Sequence, residues 1–298
     1  AEATTVTLNV ASGKNVASTP AELTEFDGAI TAAKATAFNA NILGTIDNTA
    51  AITVDLATES IITNSTSAGA INLQAAALEA LTVTSDSAFD MTGSDLSALQ
   101  VGNVTINNNT FTVNTALSEL ATLNITGNGT NATLGNSTAT LAALGGNNAY
   151  GMTVTGTGLK GGFTATTVNT GAGNDISLLL AGVTGATSVD DIGGVTVGKD
   201  VTITSAGTTV DLDAITSTGN ITVTNASSGV LDLDVVSAGI TGNVTVNLDG
   251  TAGAITLATL AGKAVSLDAS DTIGGLTWNN GAGVTDITAL NSATVAVD

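Results

Sequence analysis

The 298-residue chain carries 25 acidic side chains against five basic ones, all of them lysine, for a formal charge of −20. A phosphate-backbone partner would be repelled at long range, which excludes nucleic acid as a ligand. With no histidine and no cysteine, imidazole- and thiolate-ligated metals, disulfides and the usual nucleophile–base pairs are excluded as well.

Apolar residues make up 43% of the chain, yet only one Trp, one Tyr and five Phe are aromatic, while Gly numbers 35 and Pro one. Such a composition describes short strands of Ala, Val, Leu, Ile and Thr joined by tight polar turns around a narrow core. No apolar run approaches the roughly 20 residues that a membrane-spanning helix needs. The opening "AEATTVTLNV" has neither an initiator Met nor the basic-then-apolar plan of a signal peptide, so a processed product or an excised segment is expected.

Residues 1–50 are expected to form a terminal cap with one short helix. In "STPAELTEF", Thr19 is placed as N-cap, Pro20 at the first helical position and Glu22 three residues after the cap, followed by Leu23, Phe26 and Ile30 at helical spacing. From residue 51 to 298 the chain repeats itself without a linker. The strand cores Leu81–Val83, Val104–Ile106, Leu123–Ile125 and Met152–Val154 return as Val201–Ile203, Ile221–Val223, Val244–Val246 and Val265–Leu267, the last four separated by 20, 23 and 21 residues.

Strand alternation then assigns faces. Leu81, Val104, Leu123, Val201, Ile221, Val244 and Val265 are expected in one inner column, with Thr82, Thr105, Thr202, Thr222 and Thr245 outside. A second strand contributes the inner pairs Phe111/Val113, Val210/Leu212, Leu231/Leu233, Ile255/Leu257 and Leu276/Trp278, which puts the single Trp in an aliphatic column. A unit of about 21 residues cannot bury its own apolar face, but stacked units can, so the predicted fold is an all-β parallel β-solenoid. The competing architecture is a leucine-rich-repeat curve, suggested by Leu at every third position in "LSALQVGNVTI" and "LSELATLNI".

The candidate chemical site is acidic. "TTVDLDAITS" and "SGVLDLDVVS" align Asp211 with Asp232 and Asp213 with Asp234 on the outward face of adjacent coils, about 4.8 Å apart. Like charges across a ladder repel, so four stacked carboxylates suit a hard cation such as Ca²⁺, which takes six to eight oxygens. The alternative is that they are solvated and fanned apart by the twist. A further candidate ligand is Asp175 in "NTGAGNDISLLL", where Gly171, Gly173 and Asp175 match part of the glycine/aspartate nonapeptide that binds Ca²⁺ between turns of a β-roll. Asp190, Asp191, Asp268 and Asp271 are weaker candidates. No catalytic residue is assigned; only Asp-based glycan hydrolysis or elimination fits the side chains present.

Thr/Ala/Gly/Asn-rich repeats carrying "DLSAL", "LATLNITGNG" and "GAGND", without Cys and nearly without basic residues, resemble the crystalline surface-layer (S-layer) proteins of Gram-negative bacteria and related large secreted adhesins. The resemblance covers most of residues 50–298 and is one of composition and rhythm. It implies a secreted, non-enzymatic structural protein at the cell surface, folded and assembled with Ca²⁺, exported by a type I system, and partnered by its own copies in a lattice. Cell-surface polysaccharide is the other expected partner. An adhesin or autotransporter-like passenger, binding through its Thr-rich face, is the alternative.

Overall fold

In the computed structural model the described residues are 4–10, 25–26, 29–43, 45–46, 48–64, 69–107, 109–127, 138–145, 151–170, 174–192, 199–226, 229–238, 242–248, 254–269, 276–278, 286–288 and 295–297. They form a parallel β-solenoid. Among them two thirteen-stranded sheets and one two-stranded sheet are found, and every strand pairing is parallel to its neighbours in the coils before and after. Thirteen coils at about 4.8 Å per step make a stack of roughly 58 Å.

The first sheet runs from Thr5–Val10 through Ala80–Ser85, Val201–Ser205 and Ile221–Asn225 to Asp286–Thr288, and the second from Ile30–Thr31 through Thr209–Ser217 and Val230–Ala238 to Val295–Val297. Each coil contributes a strand to each sheet, and between the sheets lies one continuous aliphatic core with Phe38, Phe89 and Phe163 fully inside it. Alternation of apolar and Thr/Asn residues produces this arrangement directly: Val201, Ile203, Ile221 and Val223 are buried while Thr202 and Thr222 face outward. The same holds for the inner pairs Phe111/Val113, Val210/Leu212, Leu231/Leu233 and Ile255/Leu257, all buried. Trp278 pairs with Leu257 and Leu276 with Ile255, as the pattern predicts.

Three expectations are corrected. No helix occurs among the described residues. Thr19, Pro20, Glu22 and Leu23 lie outside them, but Phe26 pairs with Ile46 and Ile30 with Ile52 in parallel ladders, so cross-coil hydrogen bonding overrides the local helical spacing at those two positions. The parallel ladder already includes Thr5–Val10, paired with Ala37–Ile42, upstream of the boundary expected near residue 50. Within the inner columns, Leu81 is followed by Gly102 and then Leu123, whereas Val104 sits between Val83 and Ile125. A slip of two residues preserves faces, so alternation alone could not detect it. Gly102 fits there because the Leu123 side chain already fills the space a Cβ would take.

The Leu-every-third-residue segments are tight turns rather than a leucine-rich-repeat element. Leu99 N–H donates to the Leu96 carbonyl at 3.0 Å, Leu120 to Leu117 at 3.2 Å, Leu78 to Ala75 at 2.9 Å and Ala57 to Val54 at 2.8 Å. In each, the first and fourth residues are buried, so one turn both reverses the coil's direction and fills the corner.

Later coils turn that corner differently. In Thr209–Ser217, Val210 and Leu212 point inward, Asp213 and Ala214 both face outward, and Ile215 and Ser217 point inward again. Two successive outward residues break the alternation and bend the strand. Val230–Ala238 repeats the break at Asp234 and Val235. The bend position drops out of the ladder in successive coils, where paired residues skip Ala142, Thr166, Asp190, Asp213, Asp234 and Ala258. The second sheet is thereby folded along its length, and each of these coils presents three sides.

Candidate functional site

The acidic site lies on the second sheet, at and just before this bend. Asp211 pairs with Asp232, between Val210↔Leu231 and Leu212↔Leu233. The same offset of 21 residues continues at Ala214↔Val235, which sets Asp213 beside Asp234 at the bend. One coil earlier Asp190 occupies the corresponding bend position, because Val189 pairs with Leu212 and Asp191 with Ala214. Ser188 precedes Asp211 in its column and Thr256 follows Asp232, so the flat column holds two carboxylates and the bend column three.

Exposure differs between the columns. Asp211 and Asp232 are half-buried, flanked in sequence by inward Val210, Leu212, Leu231 and Leu233, while Asp190, Asp213 and Asp234 are exposed at the bend. Burial raises the Asp211 carboxyl above the ordinary carboxylate range, and the charge of Asp213, a hydrogen bond to Asp213, and the charges of Asp232 and Asp234 raise it further. Asp232 is raised by burial first and then by the charges of Asp234 and Asp213. Its Oδ1 is buried without a hydrogen-bond partner. Among the described residues, no three or more His, Cys, Asp or Glu side chains converge on a point where a metal ion would be held. The four carboxylates are thus aligned across two coils without forming a closed coordination shell.

Asp175 stands elsewhere, at the entry to the first sheet, and is not brought near the other four. Its Oδ1 accepts the Asp200 backbone N–H at 3.1 Å. Asp200 Oδ1 in turn accepts from Asn220 N–H at 2.7 Å, and Asn220 Oδ1 from Asn243 N–H at 3.0 Å. The side chains of Asp175, Asp200 and Asn220 therefore form a file along the stack, each accepting from the residue one coil on and the last from Asn243, which extends the backbone ladder by one residue before the strands that start at Ile176, Val201, Ile221 and Val244. The recurring signal in the sequence is an Asp or Asn immediately before the first-sheet strand, in "GNDI", "GKDV", "TGNI" and "TGNV". Gly171 and Gly173, the other part of the nonapeptide match, lie outside the described residues.

Two polar pairs inside the core carry no outward signal in the sequence. Asn64 Nδ2 donates to Ser85 Oγ at 3.0 Å, and Ser205 Oγ donates to Asn225 Oδ1 at 2.9 Å, each pair spanning adjacent coils at the end of a first-sheet strand. All four are buried at the inward phase of their strands, and pairing is what makes burial of the amides tolerable. Comparison with protein-family models, with characterised proteins and with solved structures gives no match.

Proposed function

We propose that this chain is a structural, non-enzymatic protein that assembles with copies of itself on a bacterial cell surface, in the manner of a crystalline surface layer, with Ca²⁺ neutralising carboxylates of neighbouring coils. The observation that carries the reading is the stacking of Asp211 on Asp232 and of Asp213 beside Asp234 in a solenoid whose backbone register holds them there. Parallel pairing prevents the coils from sliding to separate like charges, so the repulsion is removed by a proton or by a cation.

The donor chemistry fits a hard cation: every candidate ligand is a carboxylate oxygen, and a buried Asp232 oxygen has no partner. Ca²⁺ would supply positive charge at the coil boundary. The chain's own part is to hold Asp211 and Asp232 in line and to leave Asp213 and Asp234 exposed at the bend. Copies of a protein with a net charge of −20 repel one another, and cation uptake lowers that repulsion, so binding and assembly are coupled. Weak carboxylate sites of this kind are filled at the Ca²⁺ concentrations met outside cells.

The second reading is an adhesin stalk whose outward Thr columns bind a surface polysaccharide; it is favoured by the hydroxyl-rich first-sheet face at Thr202, Thr204, Thr222 and Thr224. Electron microscopy of the purified chain with Ca²⁺ and with chelator separates the two. Ordered arrays that form only with Ca²⁺ are expected for the lattice protein, and monomeric rods in both conditions would favour the stalk.

A further inference from the structure

Charge is distributed unequally between the two sheets. The first-sheet strands Ala80–Ser85, Val101–Ile106, Thr122–Gly127, Met152–Leu159, Ile176–Val183, Val201–Ser205, Ile221–Asn225 and Val244–Leu248 contain no Asp, Glu or Lys at all. These are eight consecutive neighbours in the sheet order. The second sheet, by contrast, carries Asp90, Asp190, Asp191, Asp211, Asp213, Asp232 and Asp234 within its strands. In a chain with 25 acids, eight consecutive strands on one side of the stack are left uncharged, the acids of that sheet falling on the strands outside the stretch, at Glu59, Asp268 and Asp286.

That side is also regular. Thr153, Ser177, Thr202, Thr222 and Thr245 succeed one another in a single outward row along the stack. Beside it run Thr155, Leu179, Thr204, Thr224 and Asn247. Two large apolar side chains are displayed on these eight strands, Val101 at 38% and Leu179 at 40% exposure, and Ile61 on the adjoining strand Glu59–Asn64 is exposed as well.

We infer that the uncharged eight-strand stretch of the first sheet's outward side, from Ala80–Ser85 to Val244–Leu248, is the surface by which a second copy of this chain packs against the first. The inference rests on the self-assembly reading above and assigns it a face. Two copies approaching by their second sheets bring aspartate ladders together; approaching by these eight first-sheet strands they bring only uncharged Thr, Ser, Asn, Ala, Gly, Val and Leu, so the electrostatic cost of meeting is lowest there. Eight strands at about 4.8 Å, each about five residues wide at 3.3 Å, give roughly 650 Å² per copy and 1,300 Å² for the pair, within the range of a specific interface. Short β-branched and amide side chains in straight rows also allow two sheet faces to interdigitate at about 10 Å.

The test compares three proteins in Ca²⁺ by sedimentation velocity and electron microscopy: the parent, the double variant Thr202→Lys/Thr222→Lys, and Thr164→Lys, which places one charge on the exposed outer side of the second sheet. The expected result is loss of assembly in the first-sheet variant, or at least a tenfold rise in the concentration at which assembly begins, with parental behaviour in Thr164→Lys. Circular dichroism confirms that each variant folds; should the double variant not fold, the single Thr222→Lys takes its place. A first-sheet variant that assembles like the parent overturns the assignment of the face while leaving the self-assembly reading intact. A parent that never assembles overturns both. A parent that stays monomeric but loses binding to polysaccharide-coated surfaces on Thr202→Lys/Thr222→Lys substitution would give the same face to a glycan, and the inference would be wrong.

Discussion

Asp211 lies in register on Asp232 in the next coil, and both carboxyls are held above their ordinary pKa by burial and by the charges around them. Geometry that the backbone imposes thus stores repulsion at a defined point of the stack. Protons and cations relieve it by different routes, which separates the two experimentally.

In chelator, protons are the available relief. A carboxyl whose folded pKa exceeds its unfolded value binds protons more tightly in the folded chain, so its contribution is lost as pH rises through the folded pKa and regained on acidification towards about pH 4. Calorimetry is therefore expected to show the melting temperature rising as pH falls from neutrality into the upper carboxylate range. The double variant Asp211→Asn/Asp232→Asn should show a flatter profile. An unchanged slope would mean that other acids dominate the proton linkage.

Calcium should act on the same residues at neutral pH. At 100 times its dissociation constant a ligand stabilises by about 2.7 kcal/mol, a few degrees for a domain of this size. The parent is expected to melt higher in Ca²⁺ than in chelator, and Asp211→Asn/Asp232→Asn to lose most of that difference while gaining stability in chelator. Parent and variant both indifferent to Ca²⁺ would leave the ladder as solvated surface and remove calcium from the proposed function.

The Asx file makes a separate prediction. Asp200 Oδ1 accepts the Asn220 backbone N–H, and Asp200→Ala removes that acceptor, whereas Asp200→Asn keeps one. Loss of about 0.5–1.5 kcal/mol is expected for Ala and much less for Asn, read by urea unfolding. Equal losses would show that the charge of Asp200, rather than its acceptor oxygen, is what the site uses.

Inward and outward positions differ steeply. Leu233 is fully buried, and Leu233→Asp places a carboxylate in the core at a cost of several kcal/mol; Thr222→Asp, on the outward row, should cost less than about 1 kcal/mol. Similar losses in denaturant melts would put the faces one residue out of phase.

Gly158 and Gly102 form another contrast. Gly158 has φ of +66°, and a Cβ there would stand 2.1 Å from the Gly127 carbonyl oxygen, which is backbone and cannot yield. Gly158→Ala is expected to cost roughly 1–3 kcal/mol or to block folding. At Gly102 the obstacle is the tip of the Leu123 side chain, at 2.8 Å, which can rotate, so Gly102→Ala should be the milder change in the same thermal melt.

The sequence by itself determined the fold class, the faces and the alignment of Asp211 with Asp232. Strand alternation and a period of about 21 residues are local, repeated signals, and the two acidic triplets share the same flanking aliphatics. What only the tertiary structure decided are relations that run between coils. Alternation has a period of two, so it could not tell that Gly102, not Val104, follows Leu81. It also could not show that the strand bends at Asp213 and Asp234, since two outward residues in succession read as noise in a single coil. Asp175 carried a partial calcium-binding pattern, yet its oxygen accepts the Asp200 N–H, 25 residues away, because stacking brings the starts of successive coils together. Likewise Phe26 and Ile30 have helical spacing but pair with Ile46 and Ile52, since ladder hydrogen bonds to a neighbouring coil outweigh a weak local preference. The uncharged side emerged last: each strand is too short for its lack of charge to mean anything alone, and only the stacking of eight such strands makes it a surface.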